Sequence, residues 1–145
     1  MGRAFNASVG TQRSGGAAGR STRESIRSVR KQVSAALRSV KNALPAAAEM
    51  AMQPIFDESQ RLVPVLTGEL KESGFLEVSG ELGTVRVSIG YARGGKPDYA
   101  VFVHEMVDLK HKAPTQAKFL QQPLEEQIDE IAPRMAAAMK ALTGF

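Results

Sequence analysis

YAVFVHEMVDLKHKAPTQAKFL, residues 99–120, decides how the rest of the chain is organised. Its first seven residues, Tyr99 to Glu105, are rich in β-branched and aromatic side chains and apolar on both faces at their centre. That pattern predicts a strand lying centrally in a sheet. MVDLKHKAPTQ (106–116) then predicts an irregular, Lys-rich loop, and the Phe119-Leu120 pair opens a helix over 117–142. Tyr99, Phe102 and Phe119 are the expected anchors in the body.

Upstream, FLEV and TVRVSIGY predict two further strands, 74–79 and 84–91, with Gly80 and Gly83 marking the turn between them. In the second strand Val85, Val87, Ile89 and Tyr91 alternate with Arg86 and Ser88. Val63-Pro64 ends a helix before this region. Thr67 is positioned to cap a short turn over Gly68, Glu69 and Leu70.

The region before Val63 predicts a long helix over 21–62. Ser21-Thr22-Arg23-Glu24 reads as a capping box. Ile26, Val29, Val33, Leu37, Val40 and Leu44 recur at helical spacing as one apolar stripe. Pro45 and Pro54 predict kinks. A helix of about 40 residues spans roughly 60 Å, more than the width of so small a body. Part of it must therefore pack on another chain, fold back or stand in solvent. The apolar stripe argues against solvent, and Ile26, Val33, Leu37 and Val40 are candidate interface residues. The final helix carries its own stripe of Leu124, Ile128, Ile131, Met135, Met139 and Leu142. Residues 1–20, rich in Gly, Ser and Ala, form a disordered or partner-ordered arm, and 21–145 a single domain. The expected class is α+β: a long kinked N-terminal helix, a small, mainly antiparallel sheet, and a C-terminal helix packed on it.

Charge is unevenly placed. The net value of +4 conceals nine Lys or Arg against one acid in residues 1–45. The remainder is mildly acidic, with fourteen acids and ten bases. Arg23, Arg27, Arg30, Lys31 and Arg38 lie on the polar face of the long helix. They are suited to a polyanion such as DNA, or to an acidic neighbouring surface, which in a homo-oligomer is another copy. The plain alternative is a solvated helix face. Aromatic residues for base stacking are lacking there, since Phe5 is the only one before Phe56.

Catalytic chemistry finds little support. The chain has no cysteine, which removes disulfides, thiol nucleophiles and thiolate metal sites. No Gly-x-Ser-x-Gly elbow or phosphate-binding glycine loop occurs. His104, Glu105, Asp108 and His111 form the only candidate constellation. A zinc protease would need His at i and i+4 of a helix, and position 108 is Asp. No catalytic, cofactor or metal role is expected. The loop residues Asp108, Lys110, His111 and Lys112 are instead expected to touch a neighbour. The chain contains no apolar run of membrane-spanning length and no signal-peptide pattern.

Three segments taken together resemble a known family. They are VPVLTGELKES (63–73), YAVFVHE (99–105) and QAKFLQQPL (116–124). They are similar to elements of the neck, tail-completion or head–tail joining proteins of tailed bacteriophages. The matching positions are Pro64, Thr67, Gly68, Leu70 and Ser73, then Tyr99, Ala100, Val103, His104 and Glu105. In the third segment they are Ala117, Lys118, Phe119, Leu120, Pro123 and Leu124. The resemblance covers about residues 45–140 and leaves the arm and the basic helix unexplained. It implies a non-enzymatic virion component, present in the host cytoplasm before assembly. It further implies a six-fold or twelve-fold ring at the junction of head and tail. Partners would be portal, adaptor or stopper proteins on one side and tail tube or terminator proteins on the other, with non-specific contact to packaged DNA. A tail terminator is the alternative within that class. A DNA-binding protein using the basic helix is the alternative outside it.

Overall fold

The computed structural model describes residues 15–144, Leu82 excepted. It has a long N-terminal helix, a two-stranded antiparallel sheet and a C-terminal helix packing on it, an α+β arrangement. The chain divides into two units, the first ending at Leu37 and the second beginning at Arg38.

Helix α1 runs from Gly15 to Leu62 with Pro45 and Pro54 inside it. Most of the arm expected over 1–20 lies outside the described residues, but from Gly15 onward the chain is already helical. Ser21 is thus an interior residue, and the expected capping box does not form. Ser25 Oγ instead donates back to the Ser21 carbonyl at 2.9 Å. In the first unit, α1 exposes its whole described surface except at Ala36. In the second unit it buries Ala47, Ala48, Ala51, Ile55, Ser59 and Leu62. Small alanines at helical spacing let the backbone approach its neighbours closely.

Helix α2 (Glu69–Glu72) is a single turn. Gly68 leads into it with φ +91°, a left-handed conformation that glycine adopts without steric cost. Thr67 does not cap this turn. Its hydroxyl donates to the Glu69 carboxylate at 3.3 Å, and no side chain caps the helix start.

Strands β1 (Phe75–Ser79) and β2 (Arg86–Gly90) pair antiparallel, with Phe75 opposite Gly90 and Ser79 opposite Arg86. A Cβ on Gly90 would sit 2.9 Å from the Phe75 ring. Glycine is therefore the residue that lets the ring lie across the strand. Arg93 stacks over the outer face of that ring at 4.3 Å and pairs with Glu77. An isolated two-stranded sheet is marginal in water, so the hairpin depends on the helices around it.

The expected third strand is a helix. α3 (Ala100–Glu105) follows a short 3-10 turn at Arg93–Gly95. Burial explains the difference. Ala100 is buried and Tyr99, Val103 and His104 are partly buried, whereas Val101 and Phe102 face out. Inward positions at 99, 100, 103 and 104 follow a helical period, which composition and shortness had masked. Phe102 consequently does not anchor the body, while Phe119 does.

Residues 106–120 are irregular, and helix α4 runs from Gln121 to Thr143 through Pro133. Gly144, at φ +75°, ends it and donates its N–H to the Lys140 carbonyl. The α4 stripe is covered in part. Ile131, Met135 and Met139 are partly buried beside buried Pro123 and Ala138, whereas Leu124, Ile128 and Leu142 are exposed.

The three sequence segments meet in a single core. Val63 and Leu70 from the first, Ala100 from the second and Phe119 from the third pack with Leu62 at the end of α1. Tyr91, Ala92, Tyr99, Val103 and Leu120 close around them. Among the described residues no helix is long and apolar enough to cross a membrane.

Candidate functional site

Among the described residues, a linked set of polar contacts lies where α3 meets the entry to α4. His104, on the inner side of α3, sets its ring edge-on to Phe119, with centroids 5.0 Å apart and planes at 84°. Its Nδ1–H donates to Glu105 Oε1 at 2.8 Å. The second oxygen of Glu105 accepts from the Lys118 ammonium. Lys118 first, then His104, holds the Glu105 carboxyl below the usual carboxylate range. Lys118 adopts φ +56°, uncommon for a residue with a side chain. Its N–H donates to the His104 carbonyl at 2.8 Å, and its own carbonyl accepts from Gln122 at 2.9 Å. This pinned turn aims Phe119 into the core and starts α4.

Phe119 also meets Tyr91 edge-on, at 5.1 Å and 87°. The Tyr91 hydroxyl hydrogen-bonds Ser59, a fully buried residue of α1, at 2.9 Å. Burial pushes the Tyr91 phenol up, and the Ser59 bond opposes that in part. Ser73 joins two further elements: its hydroxyl donates to the Leu70 carbonyl at 2.6 Å and accepts the Ala92 N–H at 3.0 Å.

Beside this network lies a cleft of about 240 Å³ lined by Tyr91, Ala100, Val101, His104, Glu105, Phe119 and Leu120. The lining is mostly apolar. It offers no hydroxyl, thiol or amine nucleophile other than the Tyr91 phenol, already engaged by Ser59. His104 Nε2 is buried and has no hydrogen-bond partner among the described residues. Such an arrangement orients an imidazole and holds two helices together.

The four-residue constellation read from the sequence separates in space. His104 and Glu105 are on α3. Asp108 and His111 lie in the irregular segment, with Asp108 exposed and His111 partly covered. Among the described residues no three His, Asp or Glu side chains gather as a metal would require. Lys110 and Lys112 are exposed on the same segment. Lys118, the partner that organises Glu105, was not singled out as a site by its residue type. Ser59 carried a fainter signal, a hydroxyl four residues after Ile55 on an apolar helix face.

The second prominent feature is on α1. Ile26, Val29, Val33 and Leu37 are between 51 and 57% exposed. Val40, next along the stripe, is also exposed. Arg23, Arg27, Arg30, Lys31 and Arg38 are exposed too, and none has an ion pair among the described residues.

No protein-family model, characterised protein or solved structure matches this chain.

Proposed function

We propose that this chain is a non-enzymatic, self-assembling virion subunit that forms a ring at the neck of a tailed phage. The observation that carries the reading is the uncovered apolar stripe of α1. In the second unit, helical spacing places Ala51, Ile55 and Leu62 at 5% exposure or less. In the first unit the same spacing leaves Ile26, Val29, Val33 and Leu37 in water. Four aliphatic side chains in a row cost too much to leave wet on a finished particle. A neighbouring subunit is the cover that a ring supplies, through heterologous contacts that close on themselves.

The neck reading within this class rests on the resemblance of the three segments, which contribute Leu70, Ala100 and Phe119 to one core. Portal or adaptor proteins on the head side and tail-tube proteins on the tail side are the expected neighbours. The exposed segment bearing Asp108, Lys110, His111 and Lys112 is available to touch them.

Electron microscopy of lysates from a phage lacking this gene tests the proposal. Full heads beside separate tails of normal length support a joining role. Overlong or ragged tails support a terminator. Intact infectious virions contradict both.

A second reading is DNA binding by the unpaired cations Arg23, Arg27, Arg30, Lys31 and Arg38. It predicts affinity of the isolated protein that falls steeply as salt rises. A neck subunit meets DNA only as a passing, non-specific contact.

A further inference from the structure

Two exposed apolar surfaces, with opposite charge along their edges, occur among the described residues. The first is Ile26, Val29, Val33 and Leu37 on α1. At roughly 100° per residue, Arg23, Arg27, Arg30, Arg38 and Lys41 all fall to one side of it. The other side carries Ser25, Ser28, Gln32 and Ser39. The second is the exposed start of the α4 stripe, Leu124 and Ile128, before its later residues Ile131, Met135 and Met139 become partly buried. Its core side holds partly buried Gln127 and Arg134, and its solvent side holds Glu125 and Asp129. Glu125 accepts from Gln121 at 2.7 Å, and neither acid meets a cation among the described residues.

We infer that the basic-edged stripe of α1 packs on the acidic-edged stripe of α4 in a neighbouring copy. Each surface supplies what the other lacks: aliphatic side chains for aliphatic side chains, and guanidinium and ammonium groups for carboxylates. The pairing is heterologous, since one copy offers α1 and the next offers α4, so it propagates from subunit to subunit as a ring requires. Its direction follows from the edges. Viewed from the N-terminus, the charged edge lies on the same hand of each stripe, and same-handed edges meet only between antiparallel helices. Antiparallel packing that sets Ile128 near Leu37 brings Glu125 and Asp129 toward Lys41 and Arg38. This inference deepens the self-assembly reading and rests on it.

The chain has no cysteine, so introduced thiols report unambiguously. Full-length Leu37→Cys and Ile128→Cys chains, each with a different tag, are co-expressed and oxidised. The expected product is a disulfide-linked pair carrying both tags, with little linkage in either variant alone. Glu125→Lys with Asp129→Lys in the Ile128→Cys chain should cut the yield at least several-fold. Arg38→Glu with Lys41→Glu in the partner should restore it, which purely apolar docking would not do. Preferential linkage of Val33→Cys to Leu124→Cys, over Val40→Cys to Leu124→Cys, overturns the antiparallel geometry. Linkage of Leu37→Cys only to itself overturns the α1–α4 pairing while leaving self-assembly standing. No linkage in any mixture, with every chain at single mass, overturns both.

Discussion

The hydroxyl of Ser59 and the phenol of Tyr91 lie 2.9 Å apart, joining the buried face of α1 to the end of β2. Neither group reaches the other through sequence proximity. The bond fixes how the hairpin meets the helix, because Ser59 is fully buried. Tyr91→Phe leaves that hydroxyl without its partner and should destabilise the fold by about 1–3 kcal/mol. Ser59→Ala combined with Tyr91→Phe should cost less than the sum of the two single changes. Urea unfolding of the four proteins checks this, and strict additivity would mean that the bond contributes nothing of its own.

Phe119→Ala should cost about 3–5 kcal/mol, the range for emptying a buried aromatic site. Its ring is 1% exposed and supports Tyr91 on one side and His104 on another. The measurement is again chemical unfolding. A loss of under about 1 kcal/mol would mean that the three sequence segments do not depend on a shared core.

The Glu105 carboxyl sits below the ordinary carboxylate value of 4.5 because of Lys118 and then His104. The unfolded chain therefore binds this proton more readily than the folded one. The stabilisation is present above that ordinary value and is lost as pH falls through the lowered one. Glu105 is exposed, so the effect is small. Glu105→Gln should lower the urea midpoint near neutrality, and the gap from the parent should narrow as pH drops below 4.5. A gap that stays constant across that range would remove the ion pair as its cause.

Pro54 is exposed within α1 and cannot donate to the Met50 carbonyl. Ala51 and Ile55 on either side of it are fully buried, so packing holds this turn helical despite the missing bond. Pro54→Ala should raise stability by about 1–3 kcal/mol. A decrease on thermal or urea unfolding would show that the core requires the proline's local geometry.

Much of the fold was legible because its signals were local. The stripes of α1 and α4, the Gly80–Gly83 turn and the two paired strands follow from period and punctuation. α3 was not legible, because six residues rich in Val and Phe satisfy a short strand as well as a helix. Only the partners of Ala100 and His104 decide between them. The α4 stripe was legible as an apolar face, but periodicity does not say how much of it is covered: Ile131, Met135 and Met139 are partly buried, and Leu124, Ile128 and Leu142 are exposed. The site was legible in half. His104 and Glu105 stood out by type, whereas Lys118 matters through a backbone turn that brings its ammonium to Glu105 across thirteen positions.

The account rests on the α1 stripe being an interface, and Val33 is its centre. Val33→Asp alters a residue 53% exposed, so the fold itself should change in stability by under about 0.5 kcal/mol. Sedimentation of the parent and this variant over a wide concentration range is the most direct test. The account predicts a closed oligomer for the parent and a 15.6 kDa species for Val33→Asp. A parent that sediments at 15.6 kDa at every concentration, indistinguishable from the variant, would contradict it.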